Sequence, residues 1–105
     1  VVGFTKSLAM ELGIHGIRCN IICPGSVEGA RMDRVIAAEA TNKRSSEAEI
    51  REGYANASSL RTFISSNDIA SMALFLASDS ASKVTGQIMN VDGHLESFGG
   101  LNHGL

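Results

Sequence analysis

Apolar residues recur at helical spacing at the start of the chain. Phe4, Leu8 and Leu12 lie four residues apart, and Lys6 and Glu11 lie off this stripe, which predicts an amphipathic helix over residues 1–12. Gly13 is the natural end of this helix. No Ser, Thr, Asp or Asn precedes the first apolar residue, so the helix lacks a start signal and the chain is expected to be truncated at its front.

Alternation replaces the helical pattern over residues 17–23, where both alternating faces carry apolar side chains. This pattern predicts an interior strand. Pro24 lacks a backbone N–H and Gly25 tolerates positive φ, so the strand must end in a loop at these two residues. In open α/β sheets, the loops at the carboxyl ends of strands line the ligand crevice. This loop is therefore the first candidate for a binding site.

Residues 28–62 are polar and only weakly periodic. Met32, Val35 and Ile36 predict a short helix, and a second helix is possible over residues 47–57. A segment of this length with little core pattern is typical of a lid or a binding excursion, with an unstructured linker as the alternative.

A second helix and a second strand follow over residues 63–93. Ser65 and Asp68 form a helix start signal, and an apolar stripe continues from it: Ile69, Met72, Ala73 and Leu76. A short strand is predicted over residues 88–91, and strand, helix, strand in this order predicts a parallel pair with a right-handed crossover. The tail, residues 94–105, has no periodicity, so we expect it to fray or to be ordered by a partner chain.

Composition narrows the class of protein without naming a function. The 105 residues suffice for one domain, and 44% hydrophobic and 19% charged residues with a net charge of −2 are typical of soluble globular proteins. The sequence lacks the basic stripe that nucleic-acid binding requires, and it has no apolar stretch long enough to cross a membrane. Cys19 and Cys23 would lie about 13 Å apart along one strand, too far for a disulfide, so we expect two buried thiols in a reducing, cytoplasmic compartment.

Common motifs of nucleotide, metal and hydrolase sites are absent from the sequence. It contains no Gly-x-Gly-x-x-Gly, no Walker motif and no Gly-x-Ser-x-Gly, and its three histidines lie far apart. We therefore expect no metal ligand and no hydrolase chemistry.

Several short motifs, taken together, resemble the short-chain dehydrogenase/reductase family. In chain order they are Gly3-Phe4-Thr5-Lys6-Ser7-Leu8-Ala9-Met10-Glu11-Leu12, Gly16-Ile17-Arg18-Cys19-Asn20, Cys23-Pro24-Gly25, Asp68-Ile69-Ala70 with Leu74-Phe75-Leu76-Ala77-Ser78-Asp79, and Thr85-Gly86-Gln87 with Val91-Asp92-Gly93. The resemblance implies an α/β fold, the C-terminal portion of a doubly wound, Rossmann-like parallel sheet, with helix, strand, helical lid, helix and strand in order. We divide this single partial domain into residues 1–27, 28–62, 63–93 and 94–105.

The resemblance also implies an activity, which is hydride transfer between NAD or NADP and a carbonyl or alcohol of a small-molecule substrate. The family's catalytic Tyr-x3-Lys motif and its Gly-rich cofactor loop precede the motifs matched here. We therefore expect a C-terminal fragment that has no catalytic residue of its own, binds no cofactor alone and is inactive alone. The alternative is a non-enzymatic folding or assembly module that oligomerisation stabilises.

By the same resemblance, the loop after the first strand lies on the nicotinamide side of the cofactor. Pro24 and Gly25 would pack near the ring, and backbone groups around Val27 would hold the carboxamide. Many relatives have a threonine at the position of Gly29, where its hydroxyl holds the cofactor. Ser26 or a backbone N–H would have to replace that contact. For Pro24 and Gly25, a plain strand-ending turn is the alternative.

Other polar residues near this loop are assigned different roles. Asn20, in an interior strand, is expected to tie the strand to neighbouring backbone. Met32 begins the excursion that covers substrate in the family, but here its polar neighbours are expected to be solvated: Glu28, Arg31 and Arg34. The bare edge of the first strand and the uncovered first helix predict a homo-oligomer.

Overall fold

The computed structural model describes residues 1–95. Its elements are α1 (Val2–Leu12), a 3-10 turn (Gly13–His15), β1 (Ile21–Pro24), α2 (Ala30–Lys43), α3 (Glu47–Asn56), α4 (Ser66–Ala77), a second 3-10 turn (Asp79–Ala81) and β2 (Ile88–Val91). This is the predicted order of helix, strand, helical excursion, helix and strand. The predicted tail, apart from its first two residues, lies outside the described residues.

The helix α1 agrees with the prediction, but its end differs. Gly13 stays in the right-handed helical region and the chain continues as a 3-10 turn, so Gly13 does not end the helical path. Gly16, at φ 73°, makes the left-handed turn instead. This conformation costs glycine little because it has no Cβ.

The strand β1 is shorter than predicted. It pairs in parallel with β2, from Ile21 opposite Ile88 to Pro24 opposite Val91, which confirms the predicted parallel pair. The prediction of a strand from residue 17 is wrong, because residues 18–20 lie opposite a turn and not opposite a strand. This turn provides a side chain and one backbone amide for hydrogen bonds in place of a strand ladder. Cys19 N–H donates to the hydroxyl of Thr85 over 3.0 Å.

The two cysteines are free, as predicted, but half-buried rather than buried. Only Cys23 belongs to a strand, because Cys19 precedes the first residue of β1. The distance expected from strand geometry therefore does not apply to this pair.

The excursion over residues 28–62 is a pair of packed helices, so the unstructured-linker alternative is wrong. The first helix, α2, runs through 14 residues and is longer than predicted, whereas α3 lies within the predicted range. Ile36 is fully buried and Ala40 nearly so. Two contacts join the helices: Arg51 Nη2 lies 2.7 Å from the Asp33 carboxylate, and the Tyr54 hydroxyl donates to Glu39 over 2.9 Å.

The predicted start signal of α4 forms a complete capping box. Asp68 N–H donates to Ser65 Oγ over 3.1 Å, and Ser65 N–H donates to the Asp68 carboxylate over 2.8 Å. Both bonds satisfy donors that would otherwise be unpaired at the helix start. The helix then packs against both strands and buries Leu76.

The buried core is small, and much apolar surface is exposed. The radius of gyration is 16.9 Å, against about 13 Å for a compact chain of this length. On α1 and the turn after it, Phe4, Met10 and Ile14 are 69%, 81% and 85% exposed. These exposed apolar side chains can pack against other protein surfaces. Within residues 1–95, no helix is long and apolar enough to cross a bilayer.

Candidate functional site

The loop between β1 and α2 encloses the candidate site. The structure brings all five predicted residues to one cavity of about 460 Å³, which four further residues complete: Glu28, Arg31, Met32 and Val35. The five are Pro24, Gly25, Ser26, Val27 and Gly29. This volume lies within the range of small-molecule sites. One wall is therefore the loop at the carboxyl end of β1, and the other is the first turns of α2.

Gly25 is fixed by a close approach to the end of β2. A Cβ at this position would lie 2.7 Å from Asp92 Cβ and 2.8 Å from Asp92 Cα. The Gly25 N–H donates to Val91 O over 2.9 Å, which holds the two segments together. The absence of a side chain at residue 25 thus has a structural reason, and the loop has a defined position relative to the sheet.

Val27 lies opposite Ile64 in a single parallel bridge. Ile64 N–H donates to Ser26 O, and Glu28 N–H donates to Ile64 O, both over 2.8 Å. In such a bridge the backbone groups of the central residue, Val27, point away from the partner segment. Its N–H and C=O accordingly have no hydrogen-bond partner within residues 1–95. Val27 therefore offers one donor and one acceptor next to the cavity.

Gly29 takes the N-cap position of α2 with φ 148°, a conformation that L side chains rarely adopt. It supplies no side-chain cap to the helix. A threonine here would strain this backbone, so the loop conformation itself accounts for glycine at this position. Ser26 lines the same cavity, and its hydroxyl has no hydrogen-bond partner among the described residues.

Three residues that shape this site were not found by sequence reasoning. Ile64 joins the two ends of the excursion through its bridge to the loop, and Asp92 limits the position of Gly25. Arg51 connects α3 to Asp33 and also lies 5.6 Å from the ring centre of Phe63. Of these three residues, Ile64 is the one with a signal in the sequence, because it is an apolar residue in a polar stretch.

Asn20 has the structural role that was predicted for it. Its side-chain amide donates to Val84 O over 2.9 Å and accepts from Gln87 N–H over 3.0 Å. The neighbouring Arg18 donates to Leu76 O over 2.6 Å. The two Asn20 bonds hold the turn before β2 against the segment before β1, and the Arg18 bond joins the same segment to the end of α4.

The single tyrosine of the sequence lies outside the loop cavity and has a raised pKa. Tyr54 donates its hydrogen bond to Glu39, and this bond raises the pKa of the phenol while it lowers the pKa of the carboxyl. A tyrosine that serves as a general acid needs a lowered pKa, near the working pH. In addition, Tyr54 lies in the helical excursion and does not line the loop cavity.

Glu28, Arg31 and Arg34 are exposed, as expected, and Met32 is half-buried. Glu28 and Arg31 nevertheless line the cavity, whereas Arg34 does not. A larger cavity of about 1000 Å³ lies along residues 59–64 and 90–95, but none of the five predicted residues lines it. Residues 1–95 contain no cluster of three or more His, Cys, Asp or Glu that could hold a metal ion.

Comparison with known proteins gives one consistent result. The family model described as enoyl-(acyl carrier protein) reductase matches residues 1–95. Dehydrogenase/reductase SDR family member 6 of Rattus norvegicus is 34% identical over 93 residues, which is 89% of this chain and 36% of that protein. The chain thus spans about a third of the length of the curated relatives it matches.

Solved structures show the same α/β arrangement. A short chain dehydrogenase family protein from Francisella tularensis superposes with a TM-score of 0.82 at 32% identity, over 88% of this chain and 38% of that one. An actinorhodin polyketide ketoreductase with NADPH superposes with a TM-score of 0.81 at 31% identity, over 92% of this chain and 37% of that one.

Proposed function

Because the chain belongs to the short-chain dehydrogenase/reductase family, we propose that it is the C-terminal part of an NAD(P)-dependent oxidoreductase that acts on a carbonyl/alcohol pair. In this proposal the loop cavity holds the nicotinamide end of the cofactor. The cofactor would supply or accept the hydride, and this chain would bind and orient the reacting ring.

One observation carries this proposal, the unpaired backbone of Val27. A carboxamide has one acceptor oxygen and one donor nitrogen, and Val27 offers the matching donor and acceptor on one residue. The bridge to Ile64 fixes this residue without using either group.

The remaining loop residues would shape the site around that contact. Gly25 presses against Asp92 and so fixes the floor on which the ring would lie. Pro24 and Ser26 line the same cavity, and the Ser26 hydroxyl is available for the contact that Gly29 cannot make. In this arrangement the helices α2 and α3 form a lid over a small-molecule substrate.

We propose that the proton donor and acceptor of the reaction come from outside this chain. Tyr54 has a raised pKa and does not line the cavity. The lining of the cavity offers carboxylate, guanidinium and backbone groups, which can orient a substrate. The isolated chain would accordingly be inactive, and its free thiols agree with a reducing, cytoplasmic compartment.

The exposed apolar faces support assembly into a homo-oligomer. Phe4, Met10 and Ile14 are large, exposed and close together in sequence. Apolar surface of this kind marks protein–protein contacts. The same observation favours the second candidate function, a non-enzymatic assembly module, which predicts oligomerisation without cofactor binding in the full-length protein.

The test is cofactor binding by the full-length protein, measured by calorimetry with NAD(P) and with its 3-acetylpyridine analogue. The analogue replaces the amide NH₂ with CH₃ and so loses the donor that would face Val27 O. One neutral hydrogen bond corresponds to roughly 2- to 12-fold weaker binding of the analogue. Equal affinity for both ligands would contradict the Val27 contact, and absence of binding to either would contradict the function.

Two variants sharpen the test. Val27→Pro removes the N–H but no described hydrogen bond, and should weaken NAD(P) binding. Val27→Ala keeps both backbone groups, so the affinity ratio between NAD(P) and the analogue should stay unchanged in this control.

A further inference from the structure

We propose that Arg31 makes the loop cavity select substrates that carry an anionic group, a carboxylate or a phosphate, close to the reacting carbonyl or alcohol. The inference rests on the proposed function and names the substrate class. The first turns of α2 present a positive charge to the cavity.

Arg31 is the only Lys or Arg among the residues that line this cavity. Its guanidinium makes no ion pair or hydrogen bond within residues 1–95. Two other cations of the same helix pair are occupied, because Arg51 contacts Asp33 at 2.7 Å and Lys43 contacts Glu39 at 3.2 Å. The cation at the cavity is thus available to a ligand.

The guanidinium is suited to an oxyanion because its planar fork can donate two parallel hydrogen bonds to a carboxylate or phosphate. Val35 lies four residues further along α2, on the same side of the helix, and Met32 lines the same wall. This wall of the cavity therefore combines one cation with two apolar side chains. Such a wall fits a short acidic molecule that has an alkyl or acyl portion.

Glu28 also lines the cavity, and its negative charge is opposite to that of Arg31. No ion pair joins it to Arg31 in the described part of the chain, so it does not neutralise the guanidinium by direct contact. Its carboxylate would repel an anionic substrate at longer range. If Arg31 determines selection, removing this charge with Glu28→Gln should increase the preference for anionic substrates.

The first experiment compares reduction of matched substrates by the full-length protein. Acetoacetate and its methyl ester test the carboxylate, and dihydroxyacetone phosphate and dihydroxyacetone test the phosphate. We expect kcat/KM to favour the anionic member of at least one pair. Arg31→Gln should lower that preference roughly tenfold to a hundredfold, the range for a charged hydrogen bond. Arg31→Lys should restore part of the preference.

Arg34→Gln is the matched control, because Arg34 is exposed on the same helix but does not line the cavity. It should leave the preference unchanged. A preference that Arg31→Gln does not alter, or a preference for the neutral member of both pairs, would overturn the inference while the oxidoreductase function stands. Failure to reduce any of these carbonyls while NAD(P) still binds would also overturn the inference, whereas absence of NAD(P) binding would contradict the proposed function.

A second readout does not depend on turnover. Phenylglyoxal modifies exposed arginines, and peptide mass spectrometry measures the modification of each one. The anionic substrate or inorganic phosphate should protect Arg31 and leave Arg34 reactive. Equal modification of both residues, with and without the anion, would overturn the inference whatever the activity.

Discussion

Replacing Gly25 with alanine tests whether the loop after β1 is held in place by its contact with β2. The new Cβ would lie 2.7 Å from Asp92 Cβ, whereas ordinary contacts begin at 3.4 Å. A second close neighbour is the backbone Cα of Asp92, at 2.8 Å, which a side-chain rotation cannot move. The loop or the end of β2 must therefore shift by about 0.7 Å or more.

The energetic cost follows from this overlap. Forcing an extra methyl group into a packed site costs about 1–3 kcal/mol, and the reduced freedom of the unfolded chain returns about 0.4–1 kcal/mol. We expect a net loss of about 1–2 kcal/mol in the free energy of unfolding. In a protein of the size of the relatives, this corresponds to a decrease of about 2–8 °C in Tm.

The assay is thermal unfolding of the full-length protein, combined with NAD(P) titration. Gly53→Ala is the matched control, because Gly53 lies inside α3 with nothing within 4 Å of an added Cβ. This control should raise stability by about 0.5–1 kcal/mol. Gly25→Ala should lower both Tm and cofactor affinity. A Gly25→Ala protein as stable as the parent, with unchanged affinity, would refute the reasoning.

Three further predictions concern the fold and its assembly. Asn20→Ala removes two hydrogen bonds from a half-buried side chain and should cost about 1–3 kcal/mol in urea denaturation, whereas Asn42→Ala, on the exposed side of α2, should change stability little. Hydrogen bonds from Ser65 hold the pKa of Asp68 below 3.8, so this carboxylate stabilises the fold above about pH 4. That contribution should disappear as the pH falls through the lower pKa of the folded state. Asp68→Asn should remove this part of the acid sensitivity, and an unchanged acid transition would contradict the assignment. The isolated 105-residue chain should show no NAD(P) binding by calorimetry and should scatter light as a dimer or larger, whereas micromolar binding or a monodisperse monomer would contradict these expectations.

Local signals in the sequence were sufficient for several elements. The apolar spacing from Phe4 to Leu12 marked α1, and the Ser65 and Asp68 signal marked the start of α4, because both depend on neighbours within one or two helical turns. The parallel pairing of the strands followed from the order of strand, helix and strand. The handedness of the crossover stays a prediction.

Contacts distant in sequence were not predictable in the same way. The strand pattern over residues 17–20 was overridden by the turn around Thr85, which satisfies Cys19 without a ladder. The full length of α2 was missed because a polar helix on the outside carries little apolar periodicity. The resemblance to the family was sufficient to identify the five loop residues. The bridge to Ile64, which leaves the Val27 backbone unpaired, is visible only in the structure.

A crystal structure of the full-length protein with bound NAD(P) would show whether the Val27 backbone holds the nicotinamide carboxamide. We expect the carboxamide nitrogen and oxygen atoms within about 3.2 Å of Val27 O and N, with the bridge to Ile64 intact. A nicotinamide bound outside the loop cavity, or a carboxamide that faces other groups, would contradict this expectation.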